Sequence, residues 1–446
     1  MGTLKSFFKY VSLNILGMAA LSCYILADTF FIAKALGANG LAALNLSISV
    51  FSMISAVGLM LGIGGGTKFA ILRSQSPNQK DSSIFTSITS LGMLLGLGSM
   101  AAGIFFSKPL AKALGADAYT LPLTAVYLQV ILCFAPFFIF NNILLAFVRN
   151  DGSPKLCMTA MITGSLCNVV LDYVFMFPLQ MGMFGAAFAT GLAPVISLGI
   201  LSLHFIKKKN SFGLNRKKIH IKLALSALPL GITSFIAELS SGIVLVIFNL
   251  QLLRISGNVG VAAYGIIANI ALVCVAVFTG IAQGIQPLIS HAYGAGDKPS
   301  LFKVKRYALL LSLALALLFY VTGTLFSDGI VHVFNSEGNL ELAAIAEHGI
   351  AIYFLGFMFL GINMTSAAFY SAAAKPAIGI WTALIRGCLA ILPLSLILPR
   401  FLGIDGVWLA FVLSEVFACL YLVGAAFMQR KKSKLSAELL VDSSFI

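Results

Sequence analysis

Charged residues are scarce in this sequence. Lys, Arg, Asp and Glu make up 10% of its 446 residues, whereas hydrophobic residues make up 59%. A soluble globular domain carries about 25% charged residues. The composition therefore excludes an ordinary soluble domain and indicates an integral membrane protein.

The sequence also lacks the patterns of a metal site, a disulfide framework or an enzyme. Its seven cysteines lie in apolar segments, with no Cys-x-x-Cys pair and no Cys/His ligand spacing. Such cysteines behave as small buried hydrophobic residues. There is no nucleophile–base constellation, no His-Glu-x-x-His pair and no sizeable segment outside the apolar runs. We therefore expect neither an enzyme nor a receptor.

Long apolar runs dominate what is present. A helix needs about 20 residues to cross about 30 Å of hydrocarbon, and twelve segments of the sequence are long enough. None shows the alternation of polar and apolar residues that marks the strands of a membrane barrel. The sequence predicts an all-α integral membrane protein with twelve transmembrane helices.

Basic residues are distributed unequally between the loops. The net charge is +14, and most Lys and Arg fall on the side that holds both termini and the linker "KKKNSFGLNRKKIHIK". Basic loops face the cytoplasm. We expect a multi-pass protein of a bacterial plasma membrane with both termini cytoplasmic, in contact with lipid rather than nucleic acid, and monomeric. The predicted divisions are an N-terminal lobe (1–206), a linker (207–221), a C-terminal lobe (222–428) and a tail (429–446).

The two halves of the chain resemble each other weakly. "GANGLAAL" (37–44) matches "GNVGVAAY" (257–264), and "GMFGAAFA" (182–189) matches "GIDGVWLA" (403–410). Pro154 and Pro376 match at nearly the same spacing. An offset of six helices gives both copies the same orientation, so we predict two six-helix lobes related by a parallel, pseudo-twofold repeat. Folds of this kind place a substrate site between the halves.

A few polar side chains interrupt the apolar runs. Asp28 lies late in the first span, and Asn168 and Asp172 lie one helical turn apart in the fifth. A carboxyl removed from water is costly to ionise unless a proton or metal ion neutralises it, and an oxygen-rich site suits a hard cation. The sequence predicts a site for H⁺ or Na⁺ here. The alternative is an interhelical hydrogen-bonded pair without a transport role.

Four other polar residues have weaker assignments. Glu238 and Gln283 are candidates for binding a cation or substrate; alternatively, Glu238 is bonded to Ser240 or Ser241, and Gln283 holds helices together. We expect Arg386 and Glu415 to contact each other and to stabilise the packing of their helices.

Several motifs together resemble one transporter family. They are "ADTFFIAKALGANGLAALNLS", "GIGGGTKFAILRS", "VRNDGSPK…NVVLD…GMFGAAFAT" and "GIAQGIQPLISHAYGAGD". They are similar to the multidrug and toxic compound extrusion (MATE) family, in its bacterial DinF/MepA-like branch. The likeness covers about residues 10 to 428.

The resemblance implies a secondary active antiporter. It implies export of small amphipathic, often cationic compounds in exchange for H⁺ or Na⁺, with no other cofactor. The family's cation-site residues fall on Asp28, Asn168, Asp172 and Thr190, and a glutamate used in another branch matches Glu238. An acidic residue of that branch has no counterpart in "YFLGFMFLGINMTSAAFY". No proline precedes Pro77, so a proline-dependent bend of the first span is not expected.

The sequence leaves a second function open. Related exporter families include flippases for anionic or polyprenyl-linked lipids, which would need Lys or Arg in the central cavity to bind phosphate. Acidic residues outnumber basic ones in the predicted spans, which favours cationic cargo.

Overall fold

The computed structural model describes residues 2–76, 82–215, 219–335 and 338–442, with side chains through residue 429. Within these ranges the chain is helical and contains no strand. The N-terminal helices are α1 (Thr3–Gln75), α2 (Ser83–Ala113), α3 (Leu121–Cys133), α4 (Ala135–Asn150), α5 (Pro154–Met176), α6 (Gly182–Leu201) and α7 (Leu203–Ile206). The C-terminal helices are α8 (Ile221–Gly294), α9 (Lys298–Leu325), α10 (Ser327–Phe334), α11 (Leu340–Tyr353), α12 (Leu355–Ala372), α13 (Pro376–Leu384), α14 (Ile391–Leu402) and α15 (Ile404–Asp442), with a π-helical turn (Ile385–Leu389) between α13 and α14.

The two longest helices each contain two membrane crossings. α1 has 73 residues and α8 has 74, and an unkinked helix of that many residues would be about 110 Å long, far more than one crossing of about 30 Å needs. Each is kinked at one glycine outside helical geometry, Gly37 with φ 63° and Gly257 with φ 59°. A φ of this sign is accessible to glycine without steric cost. The chain therefore reverses direction at these two positions with hardly any loop.

The predicted number of crossings is confirmed. In the part of the chain that the structure describes, nine helical segments are long and apolar enough to cross a membrane, with α13, the π-helical turn and α14 counted as one segment. The bent pair α3 and α4, with an angle of 47°, adds a tenth. Because α1 and α8 each cross twice, the total is twelve, in two lobes of six.

The internal repeat is visible in the backbone. Pro154 and Pro376 each begin a helix, at the position where the missing N–H of proline costs nothing. Gly182 and Gly403 precede the last crossing of their halves with φ of 56° and 58°. Matched residues thus hold matched conformations, as expected for a parallel repeat.

Each lobe has its own hydrophobic core. The first helical turns of each lobe pack into the core of the other lobe. Among the described residues, the N-terminal core includes Ala224 and Ala227 from the start of α8. The C-terminal core includes Phe7 and Val11 from the start of α1. The crossed turns join the lobes at one end of the molecule, where α1 begins and where Lys375 meets Gln429 of α15. We call it the termini end.

Glycines allow the close approach of the lobes at this end. A Cβ on Gly231 would overlap the Met60 carbonyl, and one on Gly64 would overlap the Ala227 carbonyl. The backbones of α1 and α8 are therefore in contact. Small residues at helix interfaces are the usual means of such packing in membranes.

The start of the predicted linker is anchored to the N-terminal lobe. Asp151, in the turn after α4, accepts hydrogen bonds from the backbone N–H of Ser211 and from His204 Nε2, both at 2.8 Å, and from Arg73. Burial raises the pKa of the Asp151 carboxyl, but these hydrogen bonds and the charge of Arg73 outweigh it, so the pKa lies below its ordinary value. Residues 216–218 of the linker and 443–446 of the tail lie outside the described residues.

Candidate functional site

Three helices bring the predicted cation-site residues together inside the N-terminal lobe. Asp28 comes from α1, Asn168 and Asp172 from α5, and Thr190 from α6. All four are buried: Asn168 and Asp172 are 0% exposed, Thr190 4% and Asp28 6%. The three helices α1, α5 and α6 pack against one another. The sequence placed two of these residues on one helical face, and the fold adds the other two.

The Asn168 side chain connects α5 to α6. In the orientation that satisfies both ends of its amide, its nitrogen donates to Asp172 Oδ2 at 3.1 Å, and its oxygen accepts from the Thr190 N–H at 3.2 Å. The amide thereby fixes the position of one carboxylate oxygen. The other oxygen, Asp172 Oδ1, is left for a different partner.

Two carboxylate oxygens of this site are enclosed and make no hydrogen bond within the described part of the chain. They are Asp28 Oδ1 and Asp172 Oδ1. An enclosed polar atom without a partner is costly. Carboxylate and hydroxyl oxygens suit a proton or a hard cation, not a soft transition metal, and no cluster of three His, Cys, Asp or Glu occurs among the described residues.

A cavity of about 510 Å³ lies between the lobes. Its wall is mainly apolar and includes flexible and aromatic side chains from both lobes, which suit varied ligands because they can repack. Those side chains are Met18, Phe51, Phe138, Met161, Met364 and Phe411. The volume is within the range of small-molecule sites, about 300–1,000 Å³.

Arg386 and Glu415 face this cavity as an ion pair. Both Nε and Nη2 of Arg386 donate to Glu415 Oε1 at 2.9 Å, and Asn363 Nδ2 donates to Oε2 at 2.7 Å. This confirms the expectation that the two charges stabilise each other. The pair brings no net charge to the cavity.

Glu238 also lines the cavity. The alternative in which nearby serines bind its carboxylate is wrong: the Ser241 hydroxyl donates to the Glu238 backbone carbonyl at 2.7 Å, and the Ser240 hydroxyl lies 3.5 Å from Cys388 Sγ. Within the described residues, the Glu238 carboxylate is in no ion pair or side-chain hydrogen bond. Its carboxyl oxygens are therefore available to a cationic ligand.

Gln283 lines the termini end of the cavity and is held by a residue that the sequence analysis did not identify. Arg149, in the last turn of α4, donates through Nη1 to Asn14 Oδ1 at 2.7 Å and to Gln283 Oε1 at 2.8 Å. Arg149 belongs to the N-terminal lobe and Gln283 to the C-terminal lobe. The Gln283 oxygen thus takes part in an interlobe hydrogen bond.

A second interlobe network lies beside it. Gln286 Nε2 donates to Thr67 Oγ1 at 2.7 Å, and Asn150 Nδ2 donates to Gln286 Oε1 at 3.0 Å. Gln286 is 3% exposed. Together with the crossed helical turns, these bonds join the two lobes at the termini end.

A difference between the repeats could have pointed to Arg149 and Asp151. The N-lobe sequence "RNDGSP" aligns with "SAAAKP" in the C-lobe, ending at the matched prolines Pro154 and Pro376. Only the first copy carries an arginine, an asparagine and an aspartate at its start. Departure from the repeat at these positions is a sign of a role specific to one lobe.

Twelve crossings in two repeated lobes, with a cavity between them and buried carboxyls in one lobe, define a secondary transporter fold. A profile of the MatE family matches residues 14–174 and 229–397, one block in each lobe. The chain belongs to the MatE family. It is accordingly a transporter and not an enzyme.

Curated relatives are similar over almost the whole chain. Multidrug export protein MepA of Staphylococcus aureus (strain NCTC 8325) is 24% identical over 437 residues, covering 94% of this chain and 92% of the relative. MepA of Staphylococcus saprophyticus is 22% identical over 423 residues with the same coverage.

Solved structures share the fold. An outward-facing multidrug resistance MATE family transporter of the MOP superfamily matches with a TM-score of 0.89 at 22% identity, covering 98% of this chain and 97% of that chain. A MOP superfamily transporter from Pyrococcus furiosus, described as having reverse polarity of its binding pocket, matches with the same TM-score and coverage at 23% identity.

Proposed function

We propose that this protein is a multidrug efflux antiporter that exports amphipathic, often cationic compounds in exchange for H⁺ or Na⁺. The observation that carries the proposal is the pair of buried carboxyls, Asp28 and Asp172, on two helices of one lobe. The names of the MepA relatives support multidrug export as the activity. The apolar cavity with the carboxylate of Glu238 supports cationic cargo.

The coupling cation acts by neutralising the carboxyl pair. Two carboxylates cannot both stay ionised in a closed, dry lobe without a proton or a metal ion. Loading Asp28 and Asp172 from outside removes their repulsion and lets α1 pack more closely against α5 and α6. Because the lining of the cavity includes α1, this repacking changes the affinity for cargo. Asn168 and Thr190 hold the cation together with the carboxyls.

The proposed orientation places the termini end in the cytoplasm of a bacterium, as the excess of basic residues there indicates. The lobes then comprise 1–206 and 222–428, joined by a cytoplasmic linker (207–221) and followed by a cytoplasmic tail (429–446). The protein acts as a monomer in the plasma membrane, because the cavity and the cation site are complete within one chain.

The charges of the cavity argue against an anionic lipid as cargo. Within the described residues, Arg149 and Arg386 are matched in number by Glu238 and Glu415. The lining therefore has no excess of positive charge for a lipid phosphate, and we do not propose the flippase function.

Ethidium efflux from proteoliposomes tests the proposal. We expect efflux under an imposed pH gradient or an imposed sodium gradient, and loss of that efflux in Asp172→Asn and Asp28→Asn. Asp117→Asn, which removes an exposed carboxylate near the opposite end, is the matched control and should transport normally. Undiminished gradient-driven efflux in Asp172→Asn would remove that residue from the coupling mechanism.

A further inference from the structure

A groove of about 340 Å³ lies on the surface of the C-terminal lobe, between α14 and α15. Leu389, Ile397 and Phe417 in its wall are 55%, 49% and 46% exposed, so the groove opens to the outside of the lobe and not into the central cavity. Both of its walls belong to segments that cross the membrane, where the surrounding medium is hydrocarbon. Only apolar side chains line the groove, among them Ile385, Leu389, Ala390, Pro393, Ile397 and Phe417.

The π-helical turn between α13 and α14 forms one end of the groove. The Ala390 N–H donates to the Ile385 carbonyl at 2.9 Å, a bond one residue wider than that of an α-helix. Pro393 has no N–H to offer to the carbonyl four residues earlier. The segment therefore does not continue as one regular helix, and a recess is left beside α15. On the cavity side of the same turn, Arg386 binds Glu415 of α15, so the recess is held open before any ligand arrives.

The groove is as long as one leaflet of a bilayer is thick. α13 has 9 residues, so the π-helical turn lies about 14 Å from the termini end, close to the middle of about 30 Å of hydrocarbon. From Ile385 to Ile397 the chain advances by roughly 18 Å at 1.5 Å per residue, against about 15 Å for half of the hydrocarbon. The groove thus runs from the middle of the membrane to the interface opposite the termini end.

An arginine stands where the groove reaches that interface. Pro393, Ile397 and Arg400 follow each other at helical spacings of four and three residues, so Arg400 continues the face that lines the groove. Arg400 is exposed, and the ion pairs of the described residues do not include it. Phe401 beside it is 80% exposed, as is usual for aromatic residues at the headgroup level. A guanidinium matches the geometry of a phosphate.

We propose that this groove binds one phospholipid of the leaflet opposite the termini end. One acyl chain lies in the groove with its methyl end at the π-helical turn, and Arg400 binds the phosphate. The site is separate from the central cavity and from the buried carboxyl pair. Because the π-helical turn carries Arg386 on its other side, the bound chain stabilises the turn that positions the Arg386–Glu415 pair at the cavity.

Quenching of Trp381 by bromine tests the site. Trp381 lies four residues before Ile385, on the same helical face, and is 50% exposed, whereas the other tryptophan, Trp408, is 0% exposed. The purified full-length protein in detergent is titrated with phosphatidylcholine brominated near the methyl end of one acyl chain. We expect quenching that saturates, is reversed by unbrominated phosphatidylcholine and disappears in Trp381→Phe. The same lipid brominated next to its headgroup should quench less, because those bromines lie at the far end of the groove.

Matched variants separate the chain from the headgroup. Ala390→Phe fills the groove and should abolish the saturating part of the quenching, whereas Ala314→Phe adds the same ring to an exposed alanine of α9 and should behave like wild type. Arg400→Gln should weaken binding about fivefold, the upper end for an ion pair exposed to water, and Arg400→Lys should retain most of the affinity. Arg254→Gln removes another exposed arginine and should bind like wild type.

Each contrary outcome overturns a stated part of the proposal. Wild-type quenching that does not saturate, or saturation that survives in Ala390→Phe, overturns the site. Stronger quenching by bromines next to the headgroup overturns the direction of the chain and its leaflet, and this comparison needs no variant. Equal affinity in Arg400→Gln, or equally tight binding of a brominated fatty alcohol, overturns the phosphate contact. A dimer that dissociates in Ala390→Phe would assign the groove to a second copy of the chain instead.

Discussion

Gly37 and Gly257 occupy equivalent positions in the two lobes and have nearly identical backbone angles, φ 63° and ψ −154° against φ 59° and ψ −149°. Each lets one crossing follow another almost without a loop. Nothing lies within 4 Å of a Cβ built at either position. The requirement for glycine there is therefore conformational and not steric.

Gly37→Ala and Gly257→Ala should each destabilise the protein by about 1–3 kcal/mol, because a non-glycine residue is strained at these angles. The measurement is thermal unfolding in detergent. Gly98→Ala is the matched control: this glycine lies in α2, and nothing lies within 4 Å of its added Cβ. The control should be neutral or slightly stabilising, and an equal loss in all three variants would contradict the argument.

The coupling cation should stabilise the folded protein. A ligand that binds only the native state adds about 2.7 kcal/mol when present at about 100 times its Kd. We expect the unfolding temperature of wild type to rise when sodium replaces potassium at constant ionic strength, or when the pH is lowered. The double variant Asp28→Asn/Asp172→Asn should not respond, whereas Asp117→Asn should respond like wild type. An equal response in the double variant would place the cation elsewhere.

Gln286→Leu should weaken the closure of the termini end. The substitution removes the bonds of Gln286 to Thr67 and Asn150, and leaving those groups unpaired costs about 1–3 kcal/mol. Spin labels at positions 155 and 298, one in each lobe, report the separation by pulsed electron paramagnetic resonance.

We expect a single short distance between the two spin labels in the parent protein. In Gln286→Leu we expect a second, longer distance in addition. Gln251→Leu, shortly before the kink of α8 at Gly257 and so away from the termini end, is the control and should keep the parent distribution. An unchanged distribution in Gln286→Leu would show that the network does not hold the lobes together.

Asp151→Asn should destabilise the N-terminal lobe in a pH-dependent way. Because the pKa of Asp151 is held below its ordinary value, its ionised form contributes stability above the pKa of an unfolded aspartate, about 3.9. That contribution is lost as the pH falls through the lower pKa of the folded state. At neutral pH we expect a loss of about 1–3 kcal/mol, since His204 and Ser211 lose a charged acceptor.

The difference in stability between wild type and Asp151→Asn should shrink below about pH 4. There Asp151 takes up a proton first in the unfolded state and then, at its lower pKa, in the folded state of wild type. Thermal unfolding at a series of pH values measures it. Asp328→Asn, at an exposed site, controls for the loss of a surface carboxylate. A difference that stays constant into acid would show that the charge of Asp151 does not stabilise the fold.

The crossings and the repeat were predictable because their causes are local. A run of about 20 apolar residues forms a spanning helix in any context, as the hydrocarbon leaves no other partner for the backbone. Asn168 and Asp172 were predicted as a pair for the same reason, since helical spacing alone puts them on one face. The glycine and proline positions of the repeat likewise reflect backbone geometry within a few residues.

The sequence by itself therefore determined the class of protein, its twelve membrane crossings and the acidic residues that must be neutralised. Only the tertiary structure decided which groups meet: that Asp28 joins Asp172 in one lobe, that Glu238 faces the cavity without a serine partner, and that Gln283 binds Arg149. These contacts join residues far apart in the chain, on helices whose rotation and crossing are set by close packing of small residues. The hydrophobic pattern of the sequence does not predict that packing, because a helix face is equally apolar whether it contacts lipid or another helix.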